Sequence, residues 1–247
     1  MRRKHYFVWM LTVALTAASV MPMTVYAQPA FASGGEVKVV EGDVNGEMQG
    51  GVMSPGAMAI EGSDLKVNGN VSGGLVSDGS TVTVNGNVTG NGIDTVIAKK
   101  GTVTVNGTVT ATDLSEKTGV LASNGSNLTV GDTEVGGKES TGVIAESGSK
   151  ATAGNVKVSG EYMTGALACG DSTVHVKGNV TADGNGMTGV SVHDGDKSSL
   201  IVDGDVTATG ENSVGIYGET GTIKIGGDVS GLSLIHISEP TRRTPIS

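Results

Sequence analysis

Thr118-Gly119-Val120-Leu121-Ala122, followed by Gly125-Ser126 and Leu128-Thr129-Val130, is respelled as Thr141-Gly142-Val143-Ile144-Ala145, Gly148-Ser149 and Gly154-Asn155-Val156. A turn glycine keeps the same cadence at Gly79, Gly101, Gly125, Gly148, Gly170, Gly195 and Gly221, with gaps of 22, 24, 23, 22, 25 and 26 residues. Self-similarity at such a period is the mark of a repeat architecture. Each unit is too small to bury its own apolar face, so it buries that face against the next unit.

Within a period the apolar residues alternate. Thr81-Val82-Thr83-Val84, Thr102-Val103-Thr104-Val105 and Thr173-Val174-His175-Val176 put Val on one side and Thr or His on the other. Period two and β-branched side chains specify strand and oppose helix. Each period carries three such runs, spelled Gly-Val-x-Ala, Thr-Val-x-Val and Asn-Val-Thr. Three strands with turns in ~23 residues is the size of one rung of a parallel β-helix. The predicted fold is therefore all-β, a right-handed parallel β-helix (β-solenoid) over residues 35–231. A hexapeptide left-handed helix fits worse, because six does not divide the gaps.

The valine after the Asn or Asp turn gives the rung count. Val44, Val71, Val88, Val109, Val156, Val180, Val206 and Val229 mark successive rungs. The long step from Val109 to Val156 hides one irregular rung near Gly131 to Val135, and the 17-residue step from Val71 to Val88 is a shortened one. About nine rungs result, a rod on the order of 40 Å at ~4.8 Å per rung.

The turns before those valines read Gly42-Asp43, Gly69-Asn70, Gly86-Asn87, Gly154-Asn155, Gly178-Asn179, Gly204-Asp205 and Gly227-Asp228. They predict left-handed backbone at these glycines and a ladder of stacked amides, interrupted at Thr108 and Asp132. Proline is confined to Pro29 and Pro55 between residues 28 and 231, as expected where every strand donates to a neighbour.

Both ends depart from the pattern. Arg2, Arg3 and Lys4 precede an apolar run from Tyr6 to Met23, and Val25-Tyr26-Ala27 offers a small-x-small cleavage site. Residues 1–27 thus read as an export signal, with an alternative cut after Ala32, and 28–34 as a short linker. Leu232-Ser233-Leu234-Ile235-His236-Ile237-Ser238-Glu239-Pro240-Thr241-Arg242 resembles the in-frame translation of a transposase sequencing adapter. Residues 232–247 are accordingly expected to be a non-native, disordered tail, with native sequence continuing past Gly231 toward a cap or an anchor.

Between the two ends, residues 28–231 hold 24 Asp and Glu, 11 Lys and no Arg, a balance of −13. Phosphate binding rests on clustered Lys and Arg, so nucleic acid is excluded as a partner. Phe31, Tyr162 and Tyr217 are the aromatic residues of that region, too few for an aromatic globular core. Cys169 alone forms no internal disulfide, and it is read into the turn slot of Asn124 and Ser147.

Chemistry is sparse. His175 and His193 fall in different strand slots and suggest no triad. Asp194 and Asp196 flank Gly195, and Asp203 and Asp205 flank Gly204. These four carboxylates are the metal-ligand candidates, but the nonapeptide of calcium β-rolls is missing, so they read as solvated acidic turns. No catalytic residue and no cofactor is assigned. Asn-x-Ser/Thr matches such as Asn70-Val71-Ser72 follow from the repeat itself.

The export signal joined to Gly-Asn-Val-Thr and Thr-Gly-Val-x-Ala repeats resembles bacterial surface adhesins with pectin-lyase-like β-helices, including autotransporter passenger domains. That resemblance covers about 35–231. It implies a secreted rod on the bacterial cell surface, meeting a host or cell-surface glycan or protein, with a membrane or cell-wall anchor beyond Gly231. The expected role is adhesive or structural, without catalysis. A polysaccharide lyase or glycoside hydrolase with its site outside residues 35–231 is the alternative.

Overall fold

The computed structural model describes residues 28–46, 48–49 and 52–235; the proposed signal 1–27 and the segment 236–247 lie outside them. Short strands in every period stack into three parallel sheets of ten, nine and nine strands. The first sheet runs from Ala30–Ala32 to Leu232–Ile235, the second from Val37–Val40 to Thr222–Ile225, and the third from Val44–Asn45 to Val229–Ser230. Each strand bonds to its equivalents one turn before and after, as Val82 pairs with Leu65 and Val103. This is a parallel β-helix of about nine rungs, as the period predicts.

Inside the coil, side chains of modest size layer on one another. The second sheet sends in Val82 and Val84, then Val103 and Val105, while Thr81 and Thr102 stay in water. The first sheet adds Val96 and Ala98, Val120 and Ala122, Val143 and Ala145. The third adds Val71, Val88, Val109, Val156, Val180 and Val206. Larger Leu114, Met163 and Met187 fill the corner between the third and first sheets. That corner also absorbs the variation in rung length. In the shortest rung only Gly73-Gly74, at φ of 85° and 82°, joins Val71–Ser72 to Leu75–Asp78. The rung from Val44 to Val71 instead carries a small antiparallel hairpin, Met48–Gln49 with Val52–Met53.

The hidden rung is Thr133–Lys138, with Thr133 paired to both Val109 and Val156. This corrects the repeat alignment. Leu128-Thr129-Val130 stacks on the strand Lys150–Ala153, with Leu128 on Ala151, whereas Val156 belongs to the third sheet.

Three further expectations are revised. The glycines of the Asn/Asp turn need space rather than left-handed backbone. Of that series only Gly42 has positive φ, whereas a Cβ on Gly178, Gly204 or Gly227 would lie 2.2, 2.0 or 2.1 Å from the side-chain oxygen one rung below. Left-handed residues sit instead at the other two corners, between the first and second sheets in pairs such as Asn124-Gly125 (φ 56° and 76°) and Ser147-Gly148 (φ 55° and 74°), and between the third and first at residues such as Glu139 and Tyr162 (φ 50° and 53°). Residues 28–34 are not a linker throughout, because Ala30 and Ala32 are buried and Ala30–Ala32 pairs with Ala57–Ala59. At the other end, the backbone of Leu232–Ile235 is a strand paired with Val214–Gly218 rather than disordered. An open parallel edge offers a row of unsatisfied N–H and C=O groups, which an extended segment can meet whatever its origin.

Candidate functional site

Two polar ladders run along the corners of the coil. At the corner between the second and third sheets, each Asn or Asp side chain accepts from the backbone N–H of its counterpart one rung on. The N–H of Asn87 donates to Asn70 Oδ1 at 2.9 Å, Asn179 to Asn155 Oδ1 at 3.0 Å, and Asp228 to Asp205 Oδ1 at 2.8 Å. The predicted ladder exists, but its main bond runs from backbone to side chain. A true amide stack stands beside it, Asn106 to Asn85 at 2.9 Å and Asn85 to Asn68 at 2.7 Å.

The opposite corner carries a serine ladder that the sequence reading missed. Ser63, Ser80, Ser126, Ser149, Ser172 and Ser198 are buried one to three residues after a turn glycine. Backbone N–H of Ser63 donates to Ser80 Oγ at 3.1 Å and that of Ser149 to Ser172 Oγ at 3.1 Å. The signal was present in Gly79-Ser80, Gly125-Ser126 and Gly148-Ser149, where the sequence assigns a role to the glycine alone. Gly101 and Gly221 occupy the serine column itself, where a Cβ would lie 2.2 and 2.3 Å from the serine carbonyl one rung below. The turn-glycine cadence therefore merges several neighbouring columns.

The acidic candidates divide between these corners. Asp194, at φ of 52°, lies with Asp196 on the serine side and accepts from His193 Nδ1 at 2.7 Å. Asp203 and Asp205 lie on the amide side. Asp203 meets His175 Nε2 at 2.9 Å, and Asp205 is a step of the amide ladder. Among the described residues, no three His, Cys, Asp or Glu side chains converge as a metal site. Both histidines thus meet a carboxylate at the surface, each at a different corner.

Strand register places Cys169 beside His193 on the outer side of the first sheet. It does not share the slot of Asn124 and Ser147. Ala168 stacks on Ala145, so Cys169 stands one position earlier than that reading had it. Burial, then the negative charges of Glu146 and Asp194, push its thiol pKa up. A thiol held protonated is a poor nucleophile, and Cys169 with His193 and Asp194 does not make an activated group.

The outer faces differ in chemistry. The second sheet presents Thr81, Thr83, Thr102, Thr104 and Thr129. The third presents hydroxyl, amide and charged groups along two open grooves. One is lined by Ser72, Thr89, Asn91, Thr110 and Thr112, the next by Thr110, Thr112, Glu134, Lys157 and Ser159. Glu134 and Lys157 are directly opposed across neighbouring strands, a pairing that favours both charges. No family model, curated protein or solved structure matches the chain.

Proposed function

We propose that the chain is the repeat rod of a secreted bacterial surface protein, adhesive or structural in role, acting through an outer face with no covalent chemistry. The observation that carries this reading is the third sheet's outer face. It lines up Ser, Thr and Asn side chains at about 4.8 Å intervals in shallow grooves, a pattern suited to the repeated hydroxyls of a glycan or to a polar protein surface. Supporting it, the two His–Asp pairs lie at separate corners, and Asp43, Asp132 and Asp205 serve as steps of the amide ladder. The leader at 1–27 points to export, and the burial of Ala30 and Ala32 favours cleavage after Ala27, which keeps the first strand.

The test is a glycan array and a cell-surface binding assay with the exported chain, read beside product analysis on acidic and neutral polysaccharides. Binding should occur without turnover and should fall when Thr110→Arg and Ser159→Arg fill the grooves. Cleavage of any polysaccharide that Asp203→Asn abolishes would replace this reading with an enzymatic one.

A further inference from the structure

The outward residue of each Gly-Val-x-Ala run belongs to one column along the first sheet. Phe31, Met58, Val76, Ile97, Leu121, Ile144 and Leu167 occupy it on seven successive strands, each paired directly with the next. Ser191 and Tyr217 continue it. A sheet with one face in the core normally turns polar side chains outward, and most strands of the second and third sheets do so, Val37, Val39 and Ile201 of the second excepted. A continuous apolar stripe on the outside of a rod is the mark of a contact surface.

We propose that this face docks a second copy of the chain, the two rods lying antiparallel about a two-fold axis that runs along the strand of Leu121. The charges flanking the stripe favour a second copy as the occupant and narrow the register. Two residues beyond the column, successive strands carry Asp78, Lys99, Ser123, Glu146, Cys169 and His193. A two-fold axis along a strand exchanges the strands on either side of it and keeps position along the strand. Placed on Leu121, it sets Lys99 of each copy against Glu146 of the other, twice over, because such an interface is isologous.

The apolar residues then meet in kind, Leu121 on itself, Ile97 on Ile144, and Val76 on Leu167. A groove lined by Pro55, Val76, Ile93, Asp94, Ile97 and Lys117 lies opposite Ile144 and Leu167 of the second copy; the axis brings the two Lys117 side chains together at its end, each with an Asp94 beside it. Neighbouring axes do worse. One on the strand of Ile97 opposes Lys99 to itself, and one on the strand of Ile144 opposes Glu146 to itself. An axis between Ile97 and Leu121 faces Asp78 with Glu146, and one between Leu121 and Ile144 leaves Lys99 and Glu146 without opposite charges. Like charges across an interface cost several-fold in affinity or more, and opposite ones fix register.

The size is sufficient. Nine strands spaced ~4.8 Å, each about five residues long at ~3.3 Å, make a face of roughly 38 by 17 Å. Two such faces bury about 1,300 Å², within the range of about 1,200–2,000 Å² for specific interfaces.

Sedimentation equilibrium and light scattering on the full chain test this. The chain should be dimeric, and Leu121→Lys, at the axis, should make it monomeric with an unchanged circular dichroism spectrum. Lys99→Glu alone and Glu146→Lys alone should each weaken the dimer about tenfold or more at low salt, and the two together should restore it. With Cys169→Ser as background, Leu121→Cys should oxidise to a covalent dimer, while Ile97→Cys should do so only when mixed with Ile144→Cys. A monomer at every concentration overturns the proposal, as does a dimer that Leu121→Lys leaves intact. So does failure of the double charge reversal to restore association, or binding of a different protein by a monomeric rod.

Discussion

Replacing Thr133 with Val should stabilise this protein, against the usual direction of core substitutions. Thr133 is fully buried in the column where Val109 stands one rung below and Val156 one rung above. Its Oγ1 finds no hydrogen-bond partner among the described residues. A buried hydroxyl left unpaired costs about 1–3 kcal/mol of lost hydration. Val has the same shape, so the exchange opens no cavity and forces no overpacking, and the new methyl contributes up to ~0.8 kcal/mol of burial. The expected net gain is about 2 kcal/mol.

Urea unfolding followed by far-ultraviolet circular dichroism reads this out. With a slope of about 1–3 kcal/mol/M the midpoint should rise by roughly 1 M at unchanged slope. The slope matters because a solenoid is nearly one-dimensional, and a change in it would mean that rungs had begun to unfold separately. Two controls sharpen the test. Thr133→Ser keeps the hydroxyl and loses a methyl, so it should lower stability by about 1 kcal/mol. Val109→Thr should recreate the orphan one rung away and cost about 2 kcal/mol. A midpoint for Thr133→Val that is unchanged or lower, at constant slope, would show that the hydroxyl is satisfied in the folded state.

Gly160→Ala should abolish folding or cost more than about 4 kcal/mol, because φ is +142° and the new Cβ would lie 1.8 Å from Gly137 O. Gly148→Ala, with φ of +74° and open space around it, should cost only about 1 kcal/mol in the same urea titration. Asn155→Ala removes the acceptor for the N–H of Asn179, 3.0 Å away on an exposed turn, and should cost about 0.5–1.5 kcal/mol by thermal melting. Cys169 should react with iodoacetamide several-fold more slowly than free cysteine at pH 8.5. Its raised pKa means that its stabilising contribution is complete below the ordinary thiol value and is lost as pH rises through the folded one, so Cys169→Ser should flatten the alkaline part of the stability profile.

The alternation of Thr81-Val82-Thr83-Val84 announced the second sheet, and the valine series announced the third, because a period of two has one structural meaning. The hidden rung was legible only as a gap. Thr133 fills a valine slot, and a polar residue in an inward column looks like a turn when no partner strand is visible. Glycine was misread for a related reason. At Gly178 and Gly204 the constraint comes from a side chain 23 and 25 residues away in sequence, Asn155 and Asn179, and a local reading of turn chemistry sees only φ. The serine ladder escaped for the same cause, since a buried serine and a solvated one are spelled alike.

The candidate sites were harder than the fold because the repeat that reveals the rungs camouflages what sits on them. Asp194 and Asp205 read as equivalent acidic turns, yet one holds His193 at the serine corner and the other accepts from Asp228 in the amide ladder. The apolar stripe shows the opposite effect. The variable letter in Gly-Val-x-Ala passed as a spacer in any single rung, since one exposed Leu or Ile is ordinary on a protein surface. Only the register that lays Val76, Ile97, Leu121, Ile144 and Leu167 side by side converts five unremarkable residues into a face. In a solenoid the core is encoded within each rung, whereas a binding surface is encoded between rungs, in columns that run across the sequence rather than along it.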